Sequence, residues 1–171
     1  TERSQGRDLD YSAGRLWIEF TPRGEVRKAS GSPNARLLAV TATARTSVSA
    51  DRIELEFDPG KDESPLRQAL AMGGATVESV PVVRPGAPVP DTRKVASDTV
   101  LMRMRPGGRE IERMETHAPG RLEFIPNAPG RRRRILDANR MSIDYASANV
   151  PKLFSAFSVA TRTEPAREGL P

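Results

Sequence analysis

Apolar side chains recur at every second position in four short stretches of this chain, which begin at Arg15, Arg52, Thr99 and Arg140. A spacing of two is typical of a β-strand with one face buried and the other in water. The pattern therefore predicts four similar strands. Their apolar positions are Leu16, Ile18 and Phe20, then Ile53, Leu55 and Phe57, then Val100, Met102 and Met104, then Met141, Ile143 and Tyr145.

The four stretches belong to a longer pattern that repeats with them. A small residue followed by Gly, Asp or Asn comes before each strand, as in Ala50-Asp51 and Ala138-Asn139. A turn follows each strand, and a second strand follows each turn. The turns are predicted at residues 21–24, 58–61, 105–108 and 146–149, and the second strands around 26–29, 66–69, 111–114 and 153–156. Unequal spacing between the copies indicates insertions in loops around a constant core.

The composition favours an elongated assembly of sheet units over a compact globule. The chain has 171 residues, of which 37% are hydrophobic and 5% aromatic, with 15 Pro and 13 Gly. Units that touch mainly their neighbours need less core than a globule does. We predict one all-β domain, residues 1–171. Its repeats are expected near 8–44, 45–93, 94–133 and 134–163, with a polar tail at 164–171 and long hairpin loops at 82–91 and 126–130.

The sequence offers little for catalysis. His117 is the only histidine and there is no cysteine, so neither a multi-histidine nor a thiolate metal site can form. Glu54 and Glu56 project from the same strand face, but they occupy its polar side, where acidic residues are common. No Gly-x-Ser-x-Gly, Walker or dinucleotide-binding glycine motif is present. We therefore expect no enzymatic activity, no cofactor and no metal.

The charge indicates an anionic partner. The net charge is +5, the isoelectric point is near 10.2, and Arg131–Arg134 form a basic run. Nucleic acid, an acidic membrane surface and a phosphorylated glycolipid would all fit. Binding of nucleic acid by a β-surface usually needs exposed aromatic rings for stacking, and Trp17 is the only tryptophan. The arginine run also fits a solvated loop beside a turn.

The twelve apolar positions would form one continuous stripe if the copies stack in register at about 4.8 Å. In a closed sandwich the stripe would be ordinary core. In an open or V-shaped sandwich it would line an apolar trough, in which Met provides adaptable contact surface. The pattern alone leaves both arrangements open.

The repeated pattern resembles a known family. The residues that carry the resemblance are Ser49–Phe57 with Leu66–Val77, and Leu136–Tyr145. They are similar to the OstA-like domain of the lipopolysaccharide-transport bridge proteins, namely LptA, LptC and the periplasmic part of LptD. The resemblance covers roughly residues 8–163. The third copy departs from the pattern, because Ala118-Pro119-Gly120 replaces the glycine after its second strand.

This resemblance implies a twisted, V-shaped β-jelly roll that is open along one side. It further implies a periplasmic conduit that carries the acyl chains of lipopolysaccharide or a related glycolipid in its apolar groove toward the outer membrane. The twelve apolar positions would line that groove. Because the chain begins at Thr1 rather than Met, we expect a leader or an inner-membrane anchor segment upstream of it.

The ends of an open stack of strands carry unpaired backbone groups, which are templates for another strand. We expect such ends near Leu9–Phe20 and Leu153–Thr161, and we expect other bridge-type β-jelly-roll domains to pair with them. Two other classes stay open from the sequence: a structural or filament-forming β-repeat protein, and a carbohydrate-processing enzyme on a β-scaffold.

Overall fold

The computed structural model describes residues 2–4, 7–41, 43–60, 64–83, 86 and 89–164, and it is an antiparallel assembly of fifteen strands. The predicted all-β fold class is confirmed. The strands are β1 Glu2–Ser4, β2 Arg7–Ser12, β3 Arg15–Phe20, β4 Val26–Ser32, β5 Ala35–Val40, β6 Ala44–Ala50, β7 Arg52–Phe57, β8 Leu66–Pro81, β9 Thr92–Met104, β10 Ile111–Thr116, β11 Gly120–Ile125, β12 Arg134–Ala138, β13 Arg140–Tyr145, β14 Pro151–Phe157 and β15 Ala160–Thr163. A 3₁₀ turn spans Ser147–Asn149.

Two long central strands, β8 and β9, belong to both halves of the assembly. The first half of β8 and the second half of β9 lie in sheet 1, whose order is β3-β4-β7-β8-β9-β10-β13-β14. The second half of β8 and the first half of β9 lie in sheet 2, whose order is β1-β2-β5-β6-β8-β9-β11-β12-β15. The two sheets therefore diverge from a shared line, called here the vertex.

Every strand path changes sheet at the vertex, and the small-residue motif of each copy marks the place. The chain passes from β6 to β7 at Asp51 and from β12 to β13 at Asn139. The amide of Asp51 donates a hydrogen bond to the carbonyl oxygen of Gly73 at 2.9 Å. The amide of Asn139 donates one to the carbonyl oxygen of Phe157 at 3.0 Å. These bonds keep neighbouring strand paths paired while both of them turn.

Small side chains line the sheet 2 side of the vertex. In successive strands they are Ala35, Ala50, Ala75, Ser97, Gly120 and Ala138. Small residues let two sheets approach closely, whereas larger ones farther from the vertex hold them apart. The residue size along the sheet 2 strands thus fits a V-shaped cross-section.

An apolar row crosses the inner face of sheet 1 from one edge to the other, with small residues at its second and fourth positions and large ones at the rest. The row consists of residues that are direct cross-strand neighbours in turn: Ile18, Ala29, Leu55, Ala69, Met102, Met114, Ile143 and Phe154. Leu55, Ala69, Met102, Met114 and Ile143 are buried. Cross-strand contacts of this kind are the unit of sheet stabilisation, so the row joins the four copies into one core.

The outer face of sheet 1 carries a series of ion pairs between neighbouring strands. They are Lys28 with Glu54 at 2.7 Å, Arg67 with Glu56 at 2.5 Å, Arg103 with Glu115 at 3.1 Å and Arg113 with Asp144 at 3.0 Å. Each contributes about 0.2–1 kcal/mol, because one face of every pair stays close to water. Their positions show why acidic and basic residues occupy the polar phase of these strands.

The structure differs from the sequence-based expectation at the amino-terminal end. Leu9–Phe20 is not one strand, because the chain crosses the vertex at Ala13-Gly14 and continues in the other sheet. The edge of sheet 1 is β3, whereas β2 in sheet 2 is covered by β1. Of the predicted turn 58–61, the loop 82–91 and the tail 164–171, residues 61, 84, 85, 87, 88 and 165–171 lie outside the described part of the chain.

Candidate functional site

A cavity of about 300 Å³ lies between the two sheets. Sheet 1 contributes Met102 and Ile143 to its lining, and sheet 2 contributes Leu37, Val77 and Val95. The cavity extends to the ends of the strands farthest from the vertex, called here the tips of the V, where Thr41, Thr43, Pro90, Asp91 and Arg109 line it. Its size is at the lower end of the range for ligand pockets, about 300–1,000 Å³.

The twelve sequence-predicted groove residues fall into three groups. Met102, Met104, Ile143 and Tyr145 line the cavity directly. A second group packs in the core without lining the cavity, and consists of Ile53, Leu55, Val100, Met141 and the half-buried Phe57.

The third group, Leu16, Ile18 and Phe20, is exposed to solvent at 44%, 45% and 59%. All three lie on β3, the edge strand of sheet 1, which among the described strands pairs only with β4. Ile18 is one end of the inner-face row of sheet 1. The other end is Phe154, on the opposite edge strand β14, and it is 37% exposed. Apolar surface of the inner face is therefore open at both edges of sheet 1.

The sheet 2 wall of the cavity was not predicted from the sequence. The apolar row of sheet 2 consists of cross-strand neighbours, of which the first four line the cavity: Leu37, Val48, Val77, Val95 and Leu122. A short alternation exists in this half of each copy, as in Val48 and Ala50. This alternation is weak because the inner positions of these strands hold small residues next to the vertex and polar residues near the tips of the V.

The rim of the cavity is polar and carries more positive than negative charge. Thr41, Asp91, Arg93 and Asn149 are among its residues, together with the exposed Arg109.

Asp91 already has two cationic partners. Arg131 and Arg134, both from the predicted basic run, approach its carboxylate at 3.3 and 3.2 Å. Arg133 of the same run pairs with Glu123 and Glu164. The run is therefore mostly engaged in ion pairs, which the sequence could not show because the acidic partners are distant along the chain.

Arg93 is half-buried on the inner face of sheet 2, between Ser79 and Phe124 on the neighbouring strands. Among the described residues, its guanidinium has no carboxylate partner and makes no hydrogen bond. A charged group in this position needs water or an anion for compensation. Arg93 thus places an available positive charge beside an apolar cavity.

Tyr145 faces the same cavity from sheet 1. It is 9% exposed, and its hydroxyl makes no hydrogen bond to any residue that the structure describes. Burial raises the pKa of Tyr145 to about 12, while the charge of Arg93 lowers it slightly. The group is therefore a neutral phenol at physiological pH, able to donate one hydrogen bond to a ligand.

The other candidates from the sequence do not form a reactive site. His117 is exposed near the vertex, with Nε2 at 3.7 Å from Glu115 Oε1. Glu54 and Glu56 lie on the outer face in ion pairs. In the described part of the chain, no three His, Cys, Asp or Glu residues are grouped in a way that could hold a metal ion. No described helix is long and apolar enough to cross a membrane.

No protein-family model matches the sequence, and no curated protein matches it. A solved structure does match the fold. It is the crystal structure of LptH, the LptA-homologous periplasmic component of the conserved lipopolysaccharide transport device of Pseudomonas aeruginosa. The two chains are 12% identical, with a TM-score of 0.53 over 92% of this chain and 96% of LptH.

This chain has the fold of LptH. The resemblance to the OstA-like domain is thereby confirmed at the level of the fold, including the V-shaped β-jelly roll that was expected from it. At 12% identity the match to LptH is one of architecture, so the function has to be argued from the cavity and the edges of this chain itself.

Proposed function

We propose that this protein is a non-enzymatic periplasmic carrier that holds the acyl chains of lipopolysaccharide or a related glycolipid between its two sheets, on the way to the outer membrane. We propose that residues 1–171 belong to one such domain. The observation that carries the proposal is the apolar cavity, which receives side chains from both sheets and reaches the tips of the V. LptH, a periplasmic component of a lipopolysaccharide transport device, has the same fold.

The chemistry of the wall suits acyl chains. Met102, Met104 and Met114 line one side, and branched aliphatic residues line the other. Methionine is unbranched and polarizable, so it adapts to chains of different length and position. A ligand of this kind gains stabilisation from every apolar area that leaves water, about 25 cal/mol per Å², and needs no directional bond to the wall.

The open edges supply a way to extend the trough. The inner face of sheet 1 ends in exposed apolar residues at both β3 and β14, and among the described strands β15 pairs only with β12, at an edge of sheet 2. We propose that other domains of this fold add their edge strands here, in a head-to-tail arrangement. Such contacts do not close on themselves, and they would make the apolar face continuous between domains.

Site-specific photo-crosslinking tests the carrier function. A photoreactive residue is placed at Met102 or Ile143, which line the cavity, and purified lipopolysaccharide is the probe. The matched controls are Arg103 and Asp144, the next residues on the same strands, whose side chains form ion pairs on the outer face. We expect labelling from the two cavity positions and little from the two outer ones.

Equal labelling from both faces of the strands would contradict a carrier that works through the cavity. Absence of labelling from Met102 and Ile143, in variants with a native circular-dichroism spectrum, would contradict the proposed function itself. A detergent whose alkyl chain has the same length as the acyl chains of the lipopolysaccharide serves as competitor. It should suppress labelling of lipopolysaccharide from the cavity positions.

A further inference from the structure

We propose that the rim of the cavity recognises an anionic group of the bound amphiphile, and that Arg93, Arg109 and the Tyr145 hydroxyl bind it. This inference rests on the proposed function and specifies its substrate class: a phosphate or carboxylate attached to acyl chains. Three observations support it. They concern the availability of the two arginines, the state of the Tyr145 hydroxyl and the neutralisation of the acidic residue on the rim.

The arginines of this chain are divided by their surroundings. Among the described arginines, the half-buried Arg105, Arg113, Arg121 and Arg133 all have carboxylate partners. Arg93 is also half-buried, faces the cavity and lacks such a partner. Withdrawing a guanidinium from water without a counter-charge is unfavourable, so an arginine in this position has little structural justification. An anion supplied by a ligand gives it one.

Tyr145 provides the second, independent observation. The residue is 9% exposed on the opposite wall, and its hydroxyl has no hydrogen-bond partner in the described part of the chain. Among the described residues, the fully buried side-chain polar atoms without a partner are Arg105 Nε and Arg133 Nε, so the Tyr145 oxygen keeps some contact with solvent and is accessible from the cavity. Arg93 and Tyr145 line the same cavity, and the charge of Arg93 lowers the pKa of Tyr145 against the larger effect of burial. Together they offer a positive charge and a neutral O–H donor to one ligand group.

The rim holds one acidic residue that could repel an anion, and its charge is compensated. Asp91 is bound by Arg131 and Arg134, so this part of the rim carries a net positive charge. Arg109 lies on the facing tip of sheet 1, is exposed and has no partner among the described residues. Arginine is well suited to phosphate and carboxylate because its planar guanidinium can donate two parallel hydrogen bonds.

The geometry separates the two parts of such a ligand. Acyl chains would occupy the space between Met102, Ile143 and Val77, while the anionic group would stay at the rim in contact with water. This arrangement fixes the orientation of the amphiphile, because only its charged end is compatible with Arg93.

Binding of two amphiphiles with the same chain tests the inference. Dodecyl phosphate is the anionic probe and dodecyl maltoside the neutral one, and both are used below their critical micelle concentrations. Inorganic phosphate is a third probe, which has the charge but no alkyl chain. The variants are Arg93→Gln, Arg109→Gln and Tyr145→Phe. Arg36→Gln is the control, because it removes the same charge from an exposed position on the outer side of β5. Affinities are measured by calorimetry, and thermal unfolding verifies each fold.

We expect the parent protein and Arg36→Gln to bind dodecyl phosphate more tightly than dodecyl maltoside. Arg93→Gln should bind dodecyl phosphate about ten- to a hundred-fold more weakly, which is the usual effect of losing a charged hydrogen bond. Its affinity for dodecyl maltoside should change little. Arg109→Gln and Tyr145→Phe should lose less, and inorganic phosphate should bind far more weakly than its dodecyl ester.

Other outcomes separate the inference from the proposed function. Equal binding of both amphiphiles, unchanged in Arg93→Gln, would overturn anion recognition and leave the acyl carrier intact. Equal affinity for inorganic phosphate and dodecyl phosphate would also overturn the inference, since the dodecyl chain would then contribute nothing to binding. Binding of neither amphiphile would overturn the carrier and the inference together.

Discussion

The hydroxyl of Tyr11, on β2 of sheet 2, donates a 2.5 Å hydrogen bond to the carbonyl oxygen of Ile53, on β7 of sheet 1. The bond crosses the vertex and passes over Gly31, where a Cβ atom would lie 2.7 Å from the Tyr11 oxygen. It therefore joins the two sheets where a larger residue cannot be accommodated. Burial raises the pKa of Tyr11 to about 12, so the donor proton is retained at any physiological pH.

Removal of this bond should destabilise the protein. We expect Tyr11→Phe to lower the free energy of unfolding by about 1 kcal/mol, the usual net value of one such bond. Urea denaturation followed by circular dichroism provides the measurement. Tyr145→Phe is the matched control, because that hydroxyl has no hydrogen-bond partner among the described residues; a loss of equal size there would contradict the role given to Tyr11.

The bend of β8 allows a second comparison between adjacent residues. Gly73 and Gly74 both have positive φ, at +78° and +66°. A Cβ on Gly73 would lie 2.8 Å from Cβ of Asp51, whereas a Cβ on Gly74 would have nothing within 4 Å. Gly74→Ala should cost about 1 kcal/mol from backbone strain alone, and Gly73→Ala clearly more. Equal thermal shifts in the two variants would show that close packing at the vertex is unimportant.

Two alanines on inner faces should respond differently to enlargement. Ala71 is fully buried away from the cavity, and Ala39 is half-buried on its wall. Ala71→Leu should destabilise the fold by about 1–3 kcal/mol through overpacking. Ala39→Leu should leave stability almost unchanged and should weaken the binding of dodecyl maltoside by filling the cavity. Calorimetric binding with thermal unfolding of both variants decides between these expectations.

The ion pair of Lys28 with Glu54 gives a pH-dependent contribution. A hydrogen bond from Lys28 lowers the pKa of Glu54 below its ordinary value of 4.5, with further help from the charges of Lys28 and Arg52 and against the opposing effect of burial. Because the folded pKa is the lower one, the stabilisation is fully present above about pH 4.5 and is lost as the pH falls through the folded value.

The stability difference between the parent and Glu54→Gln should therefore be constant near neutral pH and shrink below pH 4.5. Lys28→Met should raise the pKa of the Glu54 carboxyl, which an NMR titration of that group would follow directly. An unchanged titration in Lys28→Met would contradict the assignment of Lys28 as the main cause.

The open edges predict association that depends on concentration. Ile18→Asp places a charge on the inner face of the edge strand β3, where a neighbouring domain would continue the apolar row. It should weaken self-association, as followed by sedimentation velocity. Trp17→Ser is the control, since Trp17 is equally exposed on the same strand but on its other face. A strictly monomeric parent, or equal loss in both variants, would argue against pairing through the inner-face row.

The fold and the site differ in how far the sequence predicts them. The alternation of Ile53, Leu55 and Phe57, followed by a turn and a second strand, was sufficient for the sheet 1 hairpins. A small residue followed by Gly, Asp or Asn, as in Ala50-Asp51, indicates the start of each copy, but the sequence does not show that the chain crosses between the sheets there. This crossing depends on a contact with Gly73, which lies on another strand.

The rest of the cavity could not be predicted because the relevant positions carry conflicting patterns. In sheet 2 the inner side of β9 changes from Ser97 through Val95 to Arg93, so it has no uniform apolar signal. The exposure of Leu16, Ile18 and Phe20 was also hidden, since their pattern is identical to that of buried copies. Position at the edge of the sheet, rather than residue type, determines their surroundings.

Because every strand path runs from one sheet across the vertex to the other, each copy of the repeat builds a section of both walls. Duplication or deletion of a copy would then alter the length of the enclosed space while its cross-section stays the same. The cross-section, which must fit a ligand, is thus set by residue size. The length, which must span a distance, is set by the number of copies.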